Sequence, residues 1–314
     1  MAAAPTAAAP TSMEMITILA THPVLVIVAM TVLGLLVGSF LNVVIYRLPI
    51  MMEREWRSEC RALLEVGNDS DGDGDEPFDL VRPRSRCPQC ATQLAAHQNI
   101  PLLSYLILGG RCSHCHAPIP RRYPLVETLG GITGGMAAWH FGYGPDANTA
   151  LWLARALLGA VYGWSLLALA AIDLDTKLLP DSITLPLLWL GLACSFFGLF
   201  ANDLPTAVLG AMAGYLSLWS IYWVFKLATG KEGMGYGDFK LLAALGAWLG
   251  WQALPAVILI SSVLGAVVGI TMIITGLTKR SEPIPFGPFL AGAGIIAMFF
   301  SERLSGLFQA STTL

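Results

Sequence analysis

Eight apolar runs divide this chain, at about residues 16–43, 125–142, 151–172, 182–201, 206–226, 239–254, 255–277 and 286–302. About 20 consecutive apolar residues can cross a bilayer as a helix, which satisfies its own backbone hydrogen bonds where no water is present. The runs therefore predict an all-α polytopic membrane protein with about eight transmembrane helices. Only 12% of the 314 residues are charged, half the roughly 25% of a soluble domain. The net charge of −3 gives no basis for a nucleic-acid partner. The expected environment is the lipid bilayer.

The boundaries follow from composition. Residues 1–15 are Ala/Pro/Thr-rich and expected to be disordered. They lack the basic start of a cleavable signal peptide. Residues 16–45 form the first transmembrane helix, residues 46–122 a polar insert, residues 123–303 the membrane-embedded core and residues 304–314 a tail. Small residues four apart, at Gly34/Gly38, Gly130/Gly134, Gly131/Gly135 and Gly210/Gly214, predict helix faces that pack closely. With eight spans, sixteen of the eighteen lysines and arginines fall on one side, and only Arg155 and Arg303 on the other. The positive-inside rule makes that side, with the insert, cytoplasmic, and puts both termini outside.

The insert carries Cys87-Pro-Gln-Cys90 and Cys112-Ser-His-Cys115. Two such knuckles can present four thiolates to one tetrahedral Zn²⁺. A reducing cytoplasm argues against disulfides. Such a site is structural, a zinc-ribbon-like module whose metal-binding energy becomes folding energy. His97, His114 and His116 read as solvated neighbours, and Cys60 and Cys194 as outside the pattern. Between the first helix and the knuckles, Asp69-x-Asp71-x-Asp73-Gly74 begins like a calcium loop. Its twelfth position is Leu80, where a bidentate Glu is needed, and Pro77 stands at the ninth. A solvated acidic loop is the better description.

Gly233-Met234-Gly235-Tyr236-Gly237-Asp238-Phe239-Lys240 lies between two apolar runs. Glycine lets another backbone approach closely. A carboxylate at the edge of lipid costs roughly 2.5–3.5 kcal/mol on insertion scales, so it faces a polar cavity and has a task. The bland alternative makes Asp238 a helix N-cap. A second such residue, Asp173, ends the third run, with Asp175 two positions on and off its face. Asp181, after Pro180, reads as an N-cap. Asp173 and Asp238 thus share a membrane level on different helices. Two close aspartates cannot both ionise easily, so they hold one proton between them. The ionised partner can take a proton from water while the protonated one polarises a carbonyl.

Gly235-Tyr236-Gly237-Asp238 resembles the GxGD signature of intramembrane aspartic proteases. More narrowly, the chain is similar to the type IV prepilin peptidases, or leader peptidase/N-methyltransferases. Gly38-Ser39-Phe40-Leu41-Asn42, Tyr46-Arg47-Leu48-Pro49, the knuckles, Asn99-Ile100-Pro101 and Arg122-Tyr123-Pro124-Leu125-Val126-Glu127 carry the resemblance. So do Ile172-Asp173, Leu179-Pro180-Asp181, residues 233–240 and Pro285-Phe286-Gly287-Pro288. It implies that Asp173 and Asp238 are the catalytic pair, with Gly235 and Gly237 along the substrate. It implies cleavage of a basic leader from type IV prepilins and type II secretion pseudopilins after a glycine, at the cytoplasmic face of the bacterial inner membrane. It also implies methylation of the new N-terminus with S-adenosylmethionine. No Gly-rich methyl-donor loop stands out. Gly109, Gly110 and Glu127 are the candidates for donor contact.

Two other readings stay open on residues alone. A transporter or channel would carry charges at the bilayer midplane, whereas these carboxylates sit at one edge. A zinc-bearing membrane scaffold would need no dyad.

Overall fold

The computed structural model describes residues 22–64, 78–141, 149–276 and 284–310, without the side chains of 96 and 301–310. The acidic calcium-like run, the whole N-terminal tail of residues 1–15, the first residues of the first apolar run (16–21) and residues 311–314 lie outside this set. The described residues are helical, with no strand beyond two isolated bridges. In order they are α1 (Pro23–Leu63), α2 (Leu103–Ile107), α3 (Arg122–His140), α4 (Thr149–Thr176), α5 (Asp181–Phe196), α6 (Leu204–Thr229), α7 (Tyr236–Leu249), α8 (Leu254–Ile274) and α9 (Gly287–Ala310).

The described part of each of the eight apolar runs lies largely within one helix. Four helices, α1, α4, α6 and α8 with its leading turn, are long and apolar enough to cross a membrane by length and composition. The others are shorter or less apolar. Helix α7 has 14 residues, about 21 Å at 1.5 Å per residue, against a hydrocarbon thickness of about 30 Å. It is buried nearly all round, from Leu241 to Trp248, as befits a helix apolar on every face.

Helix α1 begins with Pro23 in its first turn, where a missing N–H costs nothing. It continues without a break past Pro49 to Leu63, well into the stretch that composition assigns to the insert. The small-residue faces meet as their spacing predicts. A Cβ on Gly38 would lie 2.7 Å from Glu127 Cα, and one on Gly34 would strike the Gly130 carbonyl. So α1 and α3 touch backbone to backbone. On the other side of the fold, a Cβ on Gly214 would sit 2.5 Å from the Leu242 carbonyl oxygen, and Gly210 meets Gly246. That joins α6 to α7.

Helix α4 runs through the centre, with Ala156, Ala160, Tyr162, Leu166, Leu169 and Ile172 fully buried. Trp164 Nε1 donates to the Gly130 carbonyl at 2.9 Å and Trp248 Nε1 to the Leu187 carbonyl at 2.8 Å. Each large ring thereby satisfies its one polar atom inside the core. The Trp248 carbonyl, near the end of α7, accepts from Asn202 Nδ2 at 2.9 Å.

The knuckle module is built differently. Its two halves repeat one turn. The Cys87 amide donates to the Thr92 carbonyl and the Ala91 amide to the Cys87 carbonyl; the Cys112 and His116 amides repeat the pattern with Ala117 and Cys112. Ala91 and His116 both take positive φ. Arg47 ties the module to α1, donating to the carbonyls of Asp79 (2.9 Å) and Pro83 (2.6 Å). Asn42 Nδ2 donates to the Tyr123 carbonyl at 3.2 Å.

Candidate active site

Asp173 stands one turn before the end of α4, and Asp238 in the first turn of α7. The N-cap of α7 is Gly235, so Asp238 is not the capping residue. Both aspartates are buried, 5% and 7% exposed. They lie close enough for their charges to act on each other. Asp173 Oδ2 and Asp238 Oδ1 are buried without a hydrogen-bond partner among the described residues. Burying an unpartnered carboxylate oxygen is expensive, and one such atom on each of two interacting aspartates marks a place kept for something to bind.

The surroundings of the pair come from four segments. The backbone at Gly287, which opens α9, lies against the first carboxylate: a Cβ there would be 2.5 Å from Asp173 Oδ2. Gly237 faces the loop between α4 and α5, and its Cβ would meet Leu179 Cβ at 2.8 Å. Gly235 has open space, with Asp238 Oδ2 the nearest group at 3.8 Å from an added Cβ. The two glycines therefore differ. Gly237 lets a neighbouring loop close on Asp238, and Gly235 leaves the approach to the carboxylate clear.

Charged residues brace the helix ends that hold the pair. Arg122 binds the Asp175 carboxylate and donates from Nη2 to the Ala171 carbonyl at 3.1 Å. Asp181 follows the N-cap Pro180 as the first residue of α5 rather than capping it. Its carboxylate instead takes Lys240 Nζ at 2.7 Å, linking α5 to α7. The glycine loop is held from α6. Lys226 Nζ donates to Glu232 at 2.8 Å and to the Tyr222 hydroxyl at 3.1 Å, and Tyr222 donates to Glu232 at 3.3 Å. The Lys226 ammonium keeps the Glu232 carboxyl below the usual range. Tyr222 and Tyr236 rings pack 5.4 Å apart over Phe239. None of these braces was singled out from sequence, because a lone Lys or Arg at a helix end carries no mark of its partner.

The four knuckle sulfurs of Cys87, Cys90, Cys112 and Cys115 lie within 4.8 Å of one another. Such a set can hold a metal ion. The Cys90 thiol donates to the Thr92 hydroxyl at 3.3 Å. The three histidines, Cys60 and Cys194 are not part of the cluster.

Gly109 and Gly110 both adopt positive φ. They line an open hollow of about 430 Å³ with Tyr105, Arg111 and the stretch from Pro118 to Arg121. Glu127 does not line it. Its Oε2 accepts the Leu102 amide at 2.9 Å, and Leu102 has a left-handed backbone. The structure thus gives Glu127 a holding task on the Asn99–Leu102 turn.

A model of the bacterial peptidase A24 N-terminal domain matches residues 32–141, and one of the type IV leader peptidase family matches residues 160–270. A prepilin leader peptidase/N-methyltransferase of Stutzerimonas stutzeri is 54% identical over 287 residues, covering 91% of this chain and 95% of that protein. One from Pseudomonas aeruginosa is 51% identical over 293 residues, 93% of this chain and 97% of its own. One from Aeromonas hydrophila is 54% identical over 272 residues, 87% and 90% respectively. The chain belongs to the type IV leader peptidase family. No solved structure matches it. The two matched regions divide the features above. The first holds most of α1, the knuckles and α3, and the second holds both aspartates.

Proposed function

We propose that this membrane protein is a bifunctional prepilin-processing enzyme: an aspartic endopeptidase that removes leader peptides and an N-methyltransferase that acts on the product. The observation that carries the first activity is the buried pair, Asp173 and Asp238, with an oxygen on each lacking a partner. One carboxylate is ionised and takes a proton from a water molecule. The water oxygen adds to the scissile carbonyl carbon. The other carboxylic acid donates its proton to the carbonyl oxygen. Collapse of the tetrahedral diol breaks the C–N bond, and a proton passes to the departing amine. No covalent enzyme intermediate is needed. Gly235 gives the extended substrate room beside Asp238, and Gly237 serves by admitting Leu179.

The substrates are type IV prepilins and type II secretion pseudopilins, cut after a glycine at the end of a basic leader. The distribution of basic residues in the chain supports an insert and dyad on the cytoplasmic side of the inner membrane. The knuckle cysteines fit Zn²⁺ as a closed structural site: four sulfur donors, converging from two like turns, are what a tetrahedral ion takes. S-adenosylmethionine supplies an electrophilic methyl group for the new amine. Gly109 and Gly110, with Arg111, Arg121 and Tyr105 around them, are the residues best placed to hold it. The guanidinium groups suit its carboxylate and the phenol ring suits its base. Glu127, bound to Leu102, supports that region without reaching the hollow.

The test is mass spectrometry of a model prepilin incubated with purified enzyme, with and without S-adenosylmethionine. Leader loss in both reactions is expected, with a further methyl mass only when the donor is present. An intact prepilin would end the peptidase reading. Cleavage without the methyl mass would end the second activity alone.

A further inference from the structure

Helix α2 presents an apolar face that no described residue covers. Leu103, Leu106 and Ile107 fall at positions i, i+3 and i+4, on one side of the helix. Leu106 and Ile107 are 73% and 74% exposed, and Ile100, just before them, is exposed too. Five residues of short helix would normally place such side chains against a core. Here they project from a module that has almost none.

Three observations say what covers them. The first is height. Leu102 is bonded to Glu127, which lies within the first two turns of α3. That bond pins the start of α2 beside the point where α3 begins its apolar run. The second is continuity. Leu125, Leu129 and Ile132 of α3 and Leu36 and Phe40 of α1 are exposed apolar residues on the helix pair that α2 adjoins. Tyr46 and Tyr123, also exposed, stand at the same end, where aromatic rings favour the membrane–water boundary. The third is charge. From Asp79 to Glu127 the chain has no intervening carboxylate but six arginines. Of these, Arg82, Arg84 and Arg86 are exposed on the module and lie outside the hollow lined by Gly109 and Gly110. An apolar face set among cations matches an anionic lipid surface.

We infer that α2 is an interfacial membrane anchor: Leu103, Leu106 and Ile107 enter the boundary between headgroups and acyl chains while the neighbouring arginines meet lipid phosphates. The anchor holds the knuckle module down on the bilayer, beside the helices that carry the aspartates. It stands on placement and charge and does not rest on the peptidase chemistry; Tyr105 of the same helix faces the hollow proposed for the methyl donor.

The full-length protein, reconstituted in vesicles of phosphatidylethanolamine and phosphatidylglycerol, provides the test. A benzoylphenylalanine photoprobe is placed at position 106, at position 125 as a lipid-facing reference, or at position 58 on the distal part of α1 as an aqueous one. Retained prepilin cleavage shows that each variant is folded. After irradiation, mass spectrometry should find lipid adducts at 106 within about threefold of the yield at 125 and at least tenfold above that at 58. A yield at 106 no higher than at 58 overturns the anchor. So does a cross-link from 106 to a second copy of the chain in place of lipid.

Discussion

The knuckle module and helix α7 belong to one chain and obey opposite rules. Between residues 78 and 121 only Cys87, Pro101 and Cys112 are buried among the described side chains. In α7, ten of fourteen residues are. The module keeps its shape through two repeated turns, four converging sulfurs and hydrogen bonds to neighbouring helices. The membrane core keeps its shape through glycines that bring helix backbones into contact. A region without a core depends on its ligands and tethers, so losing one should unfold it locally. A region that is all core should instead respond to volume.

The comparison yields predictions of decreasing size. Asp173→Asn or Asp238→Asn, changing charge but hardly volume, should leave the helices intact and lower prepilin cleavage by about 10²–10⁴-fold or more. A gel assay for leader loss checks this, and normal cleavage by the Asp173 variant would require Asp175 or Asp181 to replace it. Gly246→Val attacks packing instead. Its Cβ would collide with the Gly210 backbone, and overpacking of this kind costs about 1–3 kcal/mol or more. Thermal unfolding in detergent should show a lower midpoint, with cleavage falling alongside. Cys90→Ser should remove bound zinc, read by elemental mass spectrometry, and lower methylation by about tenfold or more while cleavage persists, since metal binding is folding energy for the module alone. Unchanged metal content would refute the site. Lys240→Met removes an ion pair whose two side chains are partly exposed. Exposed pairs contribute about 0–1 kcal/mol, so the midpoint should move little. A large shift would mean that the link between α5 and α7 does more than pair charges.

The smallest effect concerns a tether. Asp79 accepts the amides of Arg82 and Val81, and those bonds, Arg82's first, hold its carboxyl below the ordinary value of 3.8. A depressed folded value means that its contribution is complete above the ordinary one and is lost as pH falls through the folded one. Hydrogen exchange at residues 78–83 should therefore quicken only below about pH 3.8. Asp79→Asn should abolish that acid limb.

Much of this could be read from the residues because lipid leaves few options. The eight apolar runs could only be helices, and the glycine pairs at 34/38, 130/134 and 210/214 marked contact faces that the structure joins. Asp173 and Asp238 stood out as carboxylates at the edges of such runs. Asp175, read as lying off that face, is exposed and paired with Arg122. What sequence could not supply was the identity of neighbours. Gly246, which receives Gly210, looked like any other glycine. Asp181 was read as a cap and proves to be a partner of Lys240. The extent of α1 was hidden because polar residues after Arg47 look like loop, although a helix needs no apolar residues once it leaves the hydrocarbon. The number of helices of spanning length also differs from the number of apolar runs. Residues wrapped by other helices are as apolar as residues facing lipid.

Arg122 deserves a last consideration in time. It caps the carbonyl of Ala171, 49 positions downstream, in the turn that carries Asp173. Translation runs from the amino end, so the guanidinium leaves the ribosome well before the turn it will cap exists. The group that braces the last turns of α4 is thus always made before those turns, so their brace is supplied by the first half of the polypeptide.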